Sequence, residues 1–268
     1  MKEQKIEIFF IDNRPSHANL PLNFRPNIKG IIGPSNISWR KEVNFTKPFE
    51  YTSENTQKKV RKAIEFSELS LGYSFHLEEK LEERDFLEWL SLYNELMYGK
   101  GMETVKLTPS WYHSNPNVLR YGAVFVKDVN KKIIGGVLID KGVNQISCSY
   151  RAHDYVHIKD SSLSAIIEYF IDQFALNHNS KTIIRGTDTN IYGVRLSIGL
   201  NEFKLKYGFK PHPLDYTSIY FPRELIFFNN YEKVLTYKYV EGTSGSIEPI
   251  VIKGDELNKY LYKIEDVL

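Results

Sequence analysis

A change of hydrophobic period near residue 160 constrains this chain more than any other feature. In KDSSLSAIIEYFIDQFALNH, residues 159–178, the apolar residues Leu163, Ile166, Ile167, Phe170, Ile171 and Phe174 recur at the spacing of one helix face. Asp160 or Ser161 stands where a side-chain oxygen caps the first turn. Before this helix lie three strand-like runs, GAVFVKD, KIIGGVLID and NQISCSY, joined by VNKK and KGVN. Connectors that short make antiparallel hairpins, so the expected unit is a strand meander followed by a helix with a broad apolar face.

Upstream, Phe86, Leu90, Tyr93 and Met97 in DFLEWLSLYNELM predict a helix stopped by Gly99. Downstream, KTIIRG predicts a strand, RGTDTNIYGVR a polar loop and YTSIYF another strand. Between them GLNEFKLKYGFKP predicts a short helix. Gly208 takes the left-handed conformation at its end, Phe209 makes the accompanying apolar contact, and Pro211 blocks continuation. Leu200, Phe203 and Tyr207 form the expected buried stripe, leaving Lys204 and Lys206 on other, solvated faces. Helix, three strands, helix, strand, helix, strand is an α+β order with a mixed sheet, not an alternating doubly wound one.

This core spans residues 72–222. Residues 1–71 read as an N-terminal extension: a strand KIEIFFID, a run punctuated by proline and glycine, and a basic amphipathic helix NTQKKVRKAIEFSEL, whose Lys58, Lys59, Arg61 and Lys62 read as a solvated face. Residues 223–268 add strand-like KVLTYKYV and EPIVIK and a helix-like GDELNKYLYKIEDVL, completing the domain or appended to it.

Hydrophobic residues make up 42% of the chain, enough for a core, and the net charge of +2 favours neither nucleic acid nor an acidic partner. Cys148 is the only cysteine, which excludes an intrachain disulfide and thiolate-rich zinc sites, and no metal is expected. The first apolar run breaks at Asp12, Asn13, Arg14 and Pro15, too early for a secretory leader. No segment approaches the roughly 18 apolar residues of a membrane span. A cytoplasmic protein is the default expectation.

With these elements placed, the stretch from Gly72 to Phe221 resembles the GNAT acyltransferase superfamily, and within it the branch shared with Fem-type peptidoglycan aminoacyltransferases. The resemblance rests on Gly199 and Leu200, Phe203 and Lys204, then Tyr207 and Gly208, following a polar loop after a central strand, and on the order of all the elements. DFLEWLSLYNELM is similar to the family's first substrate-side helix, and KKIIGGVLI to the second arm of its central hairpin.

The resemblance implies a mixed, mostly antiparallel central sheet flanked by helices. It implies an acyl-CoA donor, acetyl-CoA foremost, and direct attack by a small acceptor amine such as an amino sugar or amino acid. In that fold NQISCSY and KTIIRG are parallel neighbours that splay apart. The backbone of Ser147, Cys148, Ser149 and Tyr150 then faces the donor's arm, and Ser161 and Ser162 at the helix start face its phosphates. Lys204 stands where many acetyl-CoA members carry a tyrosine, and the Fem-like branch assigns such a lysine to stabilising developing negative charge. Asp188, His153 or Asp154 is the candidate base for the amine. Arg151, Tyr192 and Arg195 are candidates for binding an anionic acceptor or donor phosphate, and Tyr98, Trp111 and Tyr112 for walling the acceptor pocket. Taken alone, Cys148 reads as a small buried hydrophobe rather than a nucleophile.

One departure stands out: YVHIKDSSLS has no glycine between Tyr155 and Ser164, where many acetyl-CoA members wrap the donor's pyrophosphate. This keeps open an aminoacyl-tRNA-dependent Fem-like transferase, for which the helix carrying Lys58 to Lys62 is the one feature suited to RNA. A noncatalytic binding module on the same fold also stays open, as does a homodimer.

Overall fold

The computed structural model describes residues 9–10, 31–34, 36–99, 107–154, 162–190, 192, 197–214, 217–220, 233–240 and 246–253. The elements through the first half are β1 (Phe9–Phe10), β2 (Ile31–Pro34), β3 (Asn36–Glu42), α1 (Glu54–Leu71), β4 (Ser74–Glu78), α2 (Glu83–Gly99), α3 (Trp111–Ser114) and β5 (Tyr121–Lys127). The second half has β6 (Ile133–Lys141), β7 (Gln145–His153), α4 (Ser162–Asn177), β8 (Thr182–Thr189), α5 (Ile198–Lys206), β9 (Lys210–Pro213), β10 (Thr217–Tyr220), β11 (Lys233–Tyr239) and β12 (Ile247–Lys253). They group into two compact units, residues 40–186 and residues 1–39 with 187–268. The expected terminal helix after Gly254 and most of the strand KIEIFFID lie outside the described residues.

In the unit of residues 40–186 the strand order is β4-β5-β6-β7-β8-β3, with β8 and β3 running on past its limits. The expected meander is present: β4 to β7 pair antiparallel in sequence order. The β5–β6 turn is closed by Asp128, whose Oδ1 accepts the Asn130 and Lys132 N–H groups at 2.9 and 2.8 Å. The β6–β7 turn is closed by the Gly142 N–H donating to the Gln145 carbonyl at 2.8 Å. Two glycines let the meander pack this tightly. A Cβ at Gly122 would meet the Glu78 carbonyl oxygen at 2.5 Å and Phe174 at 2.8 Å, and one at Gly136 would meet the Val124 carbonyl oxygen at 2.5 Å.

Helix α4 buries Leu163, Ile166, Ile167, Ile171 and Phe174, as its period predicts, while Phe170 is half-buried and stacks on Phe75. Its face also buries Glu168 and Asp172, which the apolar pattern did not mark. The opposite layer is the cluster of Phe86, Trp89, Leu90 and Leu96 from α2 with Ala123, Phe125 and Leu138 from the sheet. Helix α1 begins at Ser53, whose Oγ accepts the Thr56 N–H, and ends at Gly72 in the left-handed region. Its basic residues Lys58, Lys59, Arg61 and Lys62 are not among its buried ones.

The other unit holds a three-stranded sheet ordered β1-β10-β2 and the β11-β12 hairpin. Its strand β9 flanks the start of β3, where the Leu214 N–H donates to the Asn36 carbonyl at 3.1 Å. Residues 36–42, read from sequence as part of a punctuated extension, are thus a strand inside the main sheet. The strand YTSIYF is present as β10, between β1 and β2.

Candidate active site

The stop of α5 forms as its sequence demands. Gly208 has φ 77°, its N–H donates to the Leu205 carbonyl at 3.0 Å, the Phe209 N–H returns to the Lys204 carbonyl at 3.0 Å, and Phe209 is buried. Its buried face corrects the expected stripe. Tyr207 is buried as expected, but Asn201 and Lys204 are the buried residues within the helix, Leu200 and Phe203 are only half-buried, and Leu205 is exposed. Lys204 is therefore no solvated lysine; it is 7% exposed.

Burying an ammonium requires a counter-charge and hydrogen-bond acceptors. Asp188, near the end of β8, supplies both: its Oδ2 lies 2.5 Å from Lys204 Nζ. The same oxygen accepts the Trp39 indole N–H at 2.8 Å and the Tyr192 hydroxyl at 2.6 Å. Trp39 also donates to Tyr192 Oη at 3.0 Å and presents its ring 5.3 Å from Lys204 Nζ. Burial first, and then the Asp188 charge and hydrogen bond, push the Tyr192 phenol far above its ordinary value, so it stays a donor.

A second ring of contacts holds this network in place. Tyr237 of β11 sets its ring edge-on to Trp39 at 6.1 Å and receives the Asn201 amide N–H on its hydroxyl at 2.8 Å. Asn190 pins the polar loop: its amide donates to the Pro34 and Tyr237 carbonyls at 2.8 and 2.7 Å and accepts the Tyr237 N–H at 2.8 Å. Tyr192 and Leu235 exchange backbone hydrogen bonds at 2.9 Å each way. The polar residues of RGTDTNIYGVR thus include backbone clamps. Trp39, Asn190, Asn201 and Tyr237 were absent from the sequence-level candidates, and only the short apolar alternation of Ile37 and Trp39 in β3 signalled any of them.

β7 and β8, expected to be parallel neighbours, pair in parallel from Gln145↔Thr182 to Cys148↔Arg185. Cys148 is buried, and burial pushes its thiol up despite Arg185, Lys41 and Arg151 nearby. Ser147 and Tyr150 are half-buried, Tyr150 standing edge-on to Tyr93 at 6.0 Å. His153 and Asp154 are half-buried at the end of β7, where the Asp154 N–H donates to the Ile134 carbonyl at 2.8 Å. Ser162 opens α4. Ser161, Arg195 and the side chain of Ser149 lie outside the described residues.

Arg151 is engaged inside the fold: it donates to Glu168 Oε1 at 2.7 Å and to the Ser164 carbonyl at 2.9 Å. Arg185 meets the same Glu168 oxygen, and burial lowers its guanidinium to about 10. Beside them Lys41 lies 2.5 Å from Asp172, each shifted toward neutrality by burial. Trp111 stacks on Phe86 at 5.3 Å and meets Tyr121 edge-on at 4.9 Å, and the Tyr112 hydroxyl donates to the Leu81 carbonyl at 2.9 Å. Tyr98 stands 86% exposed and joins no such cluster. Among the described residues, no group of three or more His, Cys, Asp or Glu is arranged to hold a metal, and no helix is long and apolar enough to cross a membrane.

No family model and no curated protein matches the sequence. Solved structures do. FemX aligns at a TM-score of 0.50 and 10% identity over 72% of this chain and 63% of its own. The C-terminal domain of a protein described as a lysylphosphatidylglycerol synthetase from Agrobacterium fabrum aligns at 0.50 and 11%, over 71% and 62%. A tandem GNAT protein from the clavulanic acid biosynthesis pathway aligns at 0.44 and 9%, over 79% and 60%. The chain thus spans less than two thirds of each of these proteins, and at such identities the likeness is one of fold. With its mixed, mostly antiparallel sheet flanked by helices, the chain has a GNAT-like fold, in the form shared with FemX.

Proposed function

We propose that this protein is an acyltransferase that moves an acyl group from an acyl-CoA-type thioester to a small amine, an amino sugar or amino acid, by direct attack. The amine nitrogen attacks the donor carbonyl, the carbon–sulfur bond breaks as the amide forms, and the amine's proton leaves to water or a base. Negative charge grows first on the carbonyl oxygen and then on the departing sulfur, where a fixed cation is most useful.

The observation that carries this reading is Lys204 on a firmly ended helix, its ammonium held by Asp188, in the sequence setting where the Fem-like branch places a charge-stabilising lysine. We assign Asp188 the role of positioning Lys204 rather than of base, because three donors already converge on its Oδ2. His153 and Asp154 remain the candidates for taking the amine's proton. The parallel pairing of β7 and β8 also supports the reading, since a donor's arm can pair with strand backbone where such neighbours part.

The fold shared with FemX and the missing glycine between Tyr155 and Ser164 favour a second reading, in which the donor is an aminoacyl-tRNA. Thermal unfolding with acetyl-CoA, a longer acyl-CoA and no addition separates the two, because a ligand of the native state must raise the midpoint at sufficient excess. A rise with acyl-CoA followed by acylation of an amine panel supports the first. No rise with any acyl-CoA, together with filter retention of charged tRNA, replaces it with the second, and neither response would leave a noncatalytic module.

A further inference from the structure

The geometry points to a second ligand site in the unit of residues 40–186: a basic cavity beside β4, the start of α2 and the β5–β6 turn, which takes a small soluble molecule bearing phosphoryl groups. It shares no residue with the Lys204 network and stands independently of the activity proposed above.

The cavity measures about 530 Å³, within the range of small-molecule sites and larger than a lone phosphate ion needs. Arg84, Lys127, Lys131 and Lys132 line it against a single lining carboxylate, Glu88. That carboxylate is partly committed, since Glu88 Oε1 accepts the Ile133 N–H at 2.8 Å. Ser74 and His76 add a hydroxyl and an imidazole, hydrogen-bonded to each other at 3.0 Å. Burial, and then the Lys127 charge, lower the affinity of His76 for a proton, so the ring offers N–H donation without a fixed charge.

The four cations differ in their settings. Lys127 forms the buried floor, its side chain 11% exposed, 2.7 Å from Asp85 and 3.6 Å from Glu78. Arg84 lies 3.0 Å from the other Asp85 oxygen at the start of α2. Lys131 and Lys132 stand on the turn that Asp128 closes, and Lys131 occupies the left-handed region at φ 65°, a conformation glycine adopts without strain. No ion pair engages Lys131 or Lys132 among the described residues. A concavity with one buried and three exposed cations around it and neutral donors between them suits an anion with several oxygens spread over more than one phosphoryl group.

Titration calorimetry of the full chain at low salt, with inorganic pyrophosphate as the probe, is expected to show saturable binding to a single class of site. Arg84→Ala and Lys132→Ala, both exposed, should each weaken it by about tenfold or more, whereas Lys58→Ala on the exposed face of α1 should not change it. Failure to saturate, wild-type affinity in both cavity variants, or an equal loss in Lys58→Ala overturns the site. Phosphatidylglycerol vesicles form the second arm, with no retention of the protein expected. Retention that disappears in Arg84→Ala and Lys132→Ala would assign the cavity to a lipid headgroup and overturn the soluble ligand.

Discussion

The Lys204 ammonium lies 2.5 Å from Asp188 Oδ2, with neither residue more than 9% exposed. Removing one member strands the other's charge in a poorly solvated place, so Lys204→Met should cost about 3 kcal/mol of stability in addition to any loss of turnover. Converting Asp188 to Asn in the same chain removes the stranded charge while keeping an acceptor for Trp39 and Tyr192. The double variant should therefore regain at least half of the loss, yet recover no acyl transfer. Urea unfolding of the two variants checks the first statement and turnover the second; a single variant as stable as wild type would contradict the buried pair.

The GNAT-like meander carries adjacent glycines that should respond differently to the same change. A Cβ at Gly136 meets the Val124 carbonyl oxygen at 2.5 Å and Phe125 at 2.6 Å, whereas one at Gly135 meets nothing nearer than 3.4 Å. Gly136→Ala should lower stability by about 2 kcal/mol through overpacking against backbone that cannot step aside. Gly135→Ala should change it by less than about 0.5 kcal/mol. Paired denaturation curves decide the point.

Glu168 is fully buried, and both Arg151 and Arg185 meet its Oε1. Glu168→Gln keeps the shape of the side chain but leaves two guanidinium groups without their shared counter-ion. The expected loss is about 3 kcal/mol or more. Replacing Arg185 by Met in the same chain should return part of it, which a thermal unfolding series will show.

Burial, and then the neighbouring Asp85, raise the Glu78 carboxyl from 4.5 to about 7. Between those values the folded chain holds a proton there that the unfolded chain has lost. This contribution is thus complete below 4.5 and disappears as pH rises through about 7. Asp85 behaves oppositely: although burial opposes it, hydrogen bonds from Lys127 and Arg84 hold it below 3.8, so its contribution is lost only as pH falls below that value. Glu78→Gln should accordingly stabilise the protein at about pH 8 and lose that advantage toward about pH 5. An equal effect of the substitution at both pH values would show that Glu78 does not titrate between them.

What the sequence made legible was local. The period of α4, the hairpin turns and the glycine stop of α5 each depend on a few neighbouring residues, and all formed as read. Strand β3 is hard to read because Lys41 interrupts the apolar alternation of Ile37 and Trp39, and the counter-charge that lets Lys41 go inside is Asp172, 131 positions away. Helix α5 misled for the same reason. Its buried side is Asn201 and Lys204, polar residues whose burial is stabilised by Tyr237 and Asp188 from other segments. Periodicity reports how apolar residues repeat along the chain, and it carries no record of a distant partner that lets a polar one go inside.

Tyr237 closes the Lys204 network from β11, and Trp39 enters it from β3. During synthesis, the chain must therefore emerge past Tyr237 before Asn201 meets its phenol and the indole meets its edge-on ring. Such long-separated contacts slow assembly, so an immature chain would carry the lysine and its carboxylate without the full set of groups that hold them. The buried lysine would then gain its full set of partners as one of the final events of folding.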